Sequence, residues 1–198
     1  MVGITSYGAY IPRYRINRMT IYGSIGFINQ ATIMPGEKAV GNYDEDSLTM
    51  AVNAGVDCLK GLDRNKIDSL YFATTTAPYR ERSNAGIIAT ALDLKPQLRI
   101  ADFADSLKSG VVALLSSCDT IAAGSESSVL VCASDCRLGP AGSFQEEMYG
   151  DGAASLLLGD KNVIASLEGS YSLSYDFVDH WRHEGEKFNR IWEDRWVR

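Results

Sequence analysis

Strand-type and helix-type hydrophobic patterns alternate along this chain. Residues 2–11, VGITSYGAYI, read as a first strand rich in β-branched and aromatic positions. From Asp44 the string DEDSLTMAVNAGVDCLKGL opens with acids suited to a helix N-terminus, then sets Leu48, Ala51, Val52, Gly55, Val56 and Leu59 on one helical face. Gly61 and the Asp63-Arg64-Asn65 turn end that helix, and residues 67–74 read as a buried strand. Ser83 or Asn84 caps a helix running to about Leu92, and a strand follows Pro96 over residues 98–103. From about Ser106 the string SLKSGVVALLSSCDTIAAG turns helical. Apolar residues nearly surround its first half, which predicts a helix buried in the middle of a domain. Strands are expected over 127–133, over 153–158 after a Gly150-Asp151-Gly152 turn, and over 163–173. The tail from Phe177 is charged and aromatic with helical periodicity and little that reads as core. The alternation predicts an α/β fold with a mostly parallel sheet. One domain is expected over residues 1–175, with a charged helical extension over 176–198.

Composition narrows the class. A chain of 198 residues with 45% hydrophobic residues can bury a real core. Nineteen Lys plus Arg against 25 Asp plus Glu give a net charge of −6, and only Arg13, Arg15 and Arg18 cluster, so no nucleic-acid-binding stripe is present. No basic leader precedes the first apolar stretch, and Gly and charged residues interrupt every run, so the reading is a cytoplasmic protein without a secretory signal or a membrane partner. Cys58, Cys118, Cys132 and Cys136 are too few and too irregular for a disulfide framework, and are read as reduced, mostly buried thiols. Asp179, His180 and His183 offer no third and fourth metal ligand, and no metal is expected. No nucleotide-binding glycine fingerprint follows a strand.

Five strings then carry a resemblance together: GITSYGAYIPRYRI, NYDEDSLTMAVNAG, TTTAPYRERSNAGIIATAL, ADFADSLKSGVVAL and MYGDGAASLLLGD. In this order and spacing they resemble the amino-terminal half of thiolase-superfamily proteins of the hydroxymethylglutaryl-CoA synthase-like branch. The last string is also similar to 3-oxoacyl-carrier-protein synthases of type III. The resemblance covers residues 2 to about 175. It implies a thiolase-like half, a five-stranded mixed sheet packed with helices, stacked on a similar second half around two buried central helices and normally paired edge to edge in dimers. Because one half is supplied, the expectation is either a fragment of a longer protein or a half that needs a partner. DHWR and WEDR strings resemble a segment between the halves of longer relatives and favour the fragment.

The family's chemistry needs a thiolate at the N-terminus of the central helix, where backbone N–H groups and the helix dipole lower the thiol pKa and hold an oxyanion. By resemblance the family's alanine-cysteine-lysine-alanine-glycine string corresponds to Ser106-Leu107-Lys108-Ser109-Gly110, which puts Leu107 at the nucleophile position. Pro78-Tyr79 aligns Thr75 with the family's acid/base glutamate, and a threonine hydroxyl does not titrate near neutral pH. Ser106 and Ser109 are weak alternative nucleophiles, read instead as helix caps, because neither His180 nor His183 lies in a segment that the family brings to this pocket. Cys118 falls on the apolar face of its helix and is read as core. Lys108, Arg80 and Arg82 are weak candidates for CoA phosphates or a carrier protein.

Two functions remain open. One is an acyl-CoA condensing enzyme or acyltransferase, with no permanent cofactor and coenzyme A entering only as part of the acyl-CoA substrate. The other is a noncatalytic structural subunit, assembled as a homo- or hetero-oligomer with an active thiolase-like chain or with an OB-fold and zinc-ribbon partner.

Overall fold

In a computed structural model, residues 1–25, 34–104, 106–176 and 179–191 are described. In chain order the elements are β1 (Gly3–Tyr10), β2 (Tyr14–Asn17), α1 (Arg18–Ile25), β3 (Glu37–Val40), α2 (Ser47–Cys58), β4 (Ser69–Thr74), α3 (Asn84–Ala91), β5 (Arg99–Ala104) and α4 (Ser109–Ala122). They continue with β6 (Ser128–Asp135), α5 (Phe144–Met148), β7 (Gly152–Gly159), β8 (Ala165–Ser166), β9 (His180–Trp181) and β10 (Arg190–Ile191). The main sheet is mixed and six-stranded in the order β5-β4-β6-β7-β1-β8. β5, β4 and β6 run parallel, while β7 is antiparallel to both β6 and β1. Five strands of this sheet are those the sequence predicts, and the sixth is the two-residue remnant of the strand expected over 163–173.

Alternation along the strands sorts the core into two layers. On β4, Leu70 and Phe72 face one side, where they join Ala51, Leu59, Ile88 and Leu92 of the α2 and α3 region; burying each such side chain contributes about 1.5–3 kcal/mol. Tyr71 and Ala73 face the other side and meet Ala113, Cys118 and Ile121 of α4. The α2 layer is held closely. Asp46 and Thr49 form a reciprocal capping box at the start of α2, with both bonds at 2.8 Å. A Cβ on Gly8 would lie 2.2 Å from the Cys58 nitrogen and 2.5 Å from the Ala54 carbonyl oxygen, so only glycine lets α2 seat on β1.

The sheet is not mostly parallel as the alternation suggested, since the β6–β7, β7–β1 and β1–β8 pairings are antiparallel, and the structure departs from the sequence reading in four further places. Between β1 and α2 stands an unpredicted insertion, with β2 and β3 paired as a separate hairpin. It is fastened by long-range polar contacts: Arg18 donates to the carbonyls of Pro35 at 3.3 Å, Glu37 at 3.0 Å and Glu147 at 3.2 Å, while Asp151 accepts from the Gly41 N–H at 2.8 Å. The charged tail forms a small β9–β10 hairpin where helix was expected, and residues 192–198 lie outside the described part. α5 was not anticipated. Lastly, α4 starts at Ser109 rather than near Ser106, and it is not surrounded: Val111 is 59% exposed and Val112 37%. Tyr7, opposite Leu156 on the same side of the sheet, is 70% exposed.

Candidate functional site

The parallel strands β4, β5 and β6 all end at one edge of the sheet, which is where α/β folds bind ligands, and the loops after them together with the mouth of α4 enclose two adjoining clefts. The larger, about 900 Å³, is walled by Tyr79 to Asn84 on one side and by the β9–β10 hairpin on the other. The smaller, about 380 Å³, is bounded by Gly110, Asp135 and Ala154. Thr75, Ser106 and Leu107 line both. Leu107 is 62% exposed, immediately ahead of α4, so its aliphatic side chain stands at the junction of the clefts.

No side chain caps α4. The capping role expected of Ser106 and Ser109 is therefore corrected: the Ser109 hydroxyl turns back to donate to the Ser106 carbonyl at 2.7 Å, and the Ser106 hydroxyl accepts from the Lys108 N–H at 3.4 Å. Lys108 itself is exposed, at the residue preceding the helix.

Thr75 belongs to a knot that the sequence did not advertise. Asp135, the last residue of β6, accepts on one carboxylate oxygen from the Thr75 N–H at 2.7 Å and from the hydroxyls of Thr74, Thr75 and Thr76, each at 3.0 Å. Thr76 in turn accepts from the Cys136 N–H at 3.1 Å. Charge-assisted bonds of this kind are the strong ones, and here they tie the ends of two neighbouring parallel strands. An acid closing the otherwise uncharged strand SVLVCASD was the available signal.

The cationic candidates are engaged. Arg80 pairs with Glu184, and the Arg82 guanidinium lies 4.9 Å over the Tyr79 ring. The loop carrying them is fixed by Asn84, which is buried and bonded to Tyr79 and to the Arg82 carbonyl. Asp102 of β5 accepts from the Asn84 and Ala85 N–H groups at 3.0 and 2.8 Å, anchoring the start of α3.

His180 and His183 were expected to lie away from this pocket. They line the larger cleft together with Ser106 and Leu107, because the tail folds back as a hairpin and Arg182 donates to the Thr75 carbonyl at 2.6 Å. His180 Nδ1 lies 2.6 Å from Asp179 Oδ2. Among the described residues no group of three or more His, Cys, Asp or Glu is placed to hold a metal.

None of the four thiols is activated. Burial raises the pKa of each, pushing Cys132 up to about 12. Cys118 is core, as its helical face indicated. Cys136 is half-buried after β6, held by Thr76 and near Asp151 and Asp46, whose charges further disfavour a thiolate.

No family model matches the chain. It is 35% identical over 193 residues to the hydroxymethylglutaryl-CoA synthase of Pyrococcus furiosus and 32% identical over 194 residues to that of Methanopyrus kandleri, covering 96% of this chain and 54% and 55% of those proteins. The chain thus spans about half the length of the curated relatives it matches. Among solved structures, a hydroxymethylglutaryl-CoA synthase complexed with CoA superposes with a TM-score of 0.86 at 19% identity, over 99% of this chain and 51% of that one. The 3-oxoacyl-carrier-protein synthase III of Pseudomonas aeruginosa superposes with a TM-score of 0.71 at 22% identity, over 80% of this chain and 50% of that one. No described helix is long and apolar enough to cross a membrane.

Proposed function

Taking as premise that the chain is a homologue of hydroxymethylglutaryl-CoA synthases and is folded as a thiolase-like half, we propose that it keeps the acyl-CoA-binding frame of condensing enzymes but carries no acyl group covalently, and acts as a noncatalytic half. The observation that carries this is Leu107 at the mouth of α4, 62% exposed where the clefts meet. Acyl transfer through a covalent intermediate needs a lone pair on a nucleophilic atom, and a leucine side chain has none. Thr75, the counterpart of the family's acid/base glutamate in this reading, has its hydroxyl committed to Asp135. The active centre would then come from a thiolase-like partner chain, or from an assembly that includes an OB-fold and zinc-ribbon protein.

Two surfaces support such a partner. The uncovered side of the sheet, with Val111, Val112 and Tyr7, is where a second half would pack. β5 is the outer strand of the sheet and leaves Ile100 39% exposed, an edge suited to sheet-to-sheet pairing.

A second reading has one specific observation behind it: Ser106, His180 and His183 line the same cleft, and His180 is oriented by Asp179. A serine nucleophile with a histidine base would make the chain an acyltransferase in its own right. Incubation with radiolabelled acetyl-CoA, followed by denaturation, separates the two. The noncatalytic reading expects no label on the chain. Stable label lost in Ser106→Ala would overturn it in favour of the serine enzyme, and stable label on any other residue would overturn it as well.

A further inference from the structure

The described part of the β9–β10 hairpin is fastened to the body of the protein by a few polar contacts. Internally, β9 and β10 pair in register, and Glu186 binds both the His183 N–H at 3.0 Å and the Arg190 guanidinium, closing the loop between the strands. His183 also accepts from the Glu186 N–H through its carbonyl, at 3.1 Å. Its attachments to the body are polar and mostly exposed: Arg182 to the Thr75 carbonyl, Glu184 to Arg80, and Asn189 to the Tyr149 hydroxyl at 3.3 Å. None of its residues joins either buried core. Such attachments are readily exchanged, because exposed ion pairs add little net stability.

We propose that this hairpin is a strap closing the larger cleft over Leu107, and that a phosphate-bearing anion releases it by taking Arg80 from Glu184. The inference rests on the acyl-CoA reading for the identity of the anion, though not for the strap itself. Arg80 is 67% exposed and Glu184 83%, so the pair is open to a competing anion from solvent. Arg80 lies on the rim of the cleft that the strap roofs, so an anion bound there would act where entry occurs. Arg82 is not an equivalent target, since its guanidinium is stacked on Tyr79. The second latch, Arg182 on Thr75, joins the strap to the loop that Asp135 fixes. A loosened strap would therefore still swing from a defined point.

Trp181 sits in β9 and lines the cleft, which makes it a reporter. The other two tryptophans, Trp192 and Trp196, are replaced by phenylalanine in the full chain. Acrylamide quenching of Trp181 is then measured at fixed ionic strength, alone and with acetyl-CoA or inorganic pyrophosphate. Either anion should raise the quenching constant about twofold, as expected when a loosely latched unit opens. Glu184→Gln should produce the same rise without any anion and show little further response. Arg182→Met combined with Glu184→Gln should raise it more. Circular dichroism and melting temperature identify any variant that has simply unfolded. Quenching unchanged by Glu184→Gln and by the double variant would overturn the strap, and a rise reproduced by sodium chloride alone would overturn the anion's role. Calorimetry on the same samples keeps the two proposals apart. Acetyl-CoA that binds without moving Trp181 defeats anion release and leaves the acyl-CoA reading intact. Absence of acetyl-CoA binding defeats that reading, while the latch variants still decide the strap.

Discussion

The two faces of the central sheet are finished to different degrees. On the α2 and α3 side, Phe72, Leu70, Ile88, Leu92 and Leu130 are fully buried, and Gly8 brings α2 into backbone contact with β1. On the other side α4 packs on β4, β5, β6 and β7, leaving Tyr7 of β1 and its own Val111 largely in solvent. Both faces carry strands of similar apolar content, so composition does not separate them. Coverage does. Under the proposed reading a second half would cover this face, and the smaller cleft lies at its border, where Leu107 and Gly110 lead into α4.

Substitutions on the two faces should therefore behave differently in the isolated chain. The largest effect is expected on the finished face: Phe72→Ala should cost about 3–5 kcal/mol in urea unfolding, since the cavity is enclosed on all sides. A loss below about 1 kcal/mol would mean that this face is not the packed one. Next is Asp135→Ala, which removes the acceptor for four donors at the border of the open face. It should cost about 2–3 kcal/mol and speed amide exchange at Thr75 and Thr76, while Asp135→Asn recovers part of the loss.

A smaller effect is expected from pH. The Cys132 thiol is raised from 9.0 to about 12 by burial between the sheet and α2. Its folded pKa lies above the unfolded one, so its contribution to stability is complete below pH 9.0 and is lost as pH rises toward about 12. Thermal melts over that window should show falling stability, with a shallower fall in Cys132→Ala. The smallest effect on folding belongs to the open face: Val111→Lys should change the unfolding free energy by less than about 0.5 kcal/mol, because the side chain is already in water. The same change should abolish association with a second half.

This contrast also explains what the sequence could reveal. The strand and helix order of the main sheet was legible because each element carries its own period, and the acids before Ser47 and the Gly61 turn mark boundaries locally. The apolar residues around α4 suggested a helix surrounded by protein, but among the described residues one side of it, with Val111 and Val112, is left uncovered. The β2–β3 insertion and the strap were misread or missed because their placement depends on contacts more than 100 residues away in the chain, such as Arg18 with Glu147 and Arg182 with Thr75. The site was half legible. Leu107 and Thr75, picked out from the strings around them, line both clefts, whereas Asp135 and Arg182 gain meaning only from the three-dimensional arrangement.

The most direct test of the unfinished face is sedimentation velocity of the chain of residues 1–198 across a concentration series, run beside Val111→Lys and with an apolar dye that fluoresces on exposed hydrophobic surface. The account predicts that the parent chain self-associates with rising concentration, or binds the dye when dilute, and that Val111→Lys weakens both. A parent chain that stays monomeric at every concentration and leaves the dye dark would contradict it.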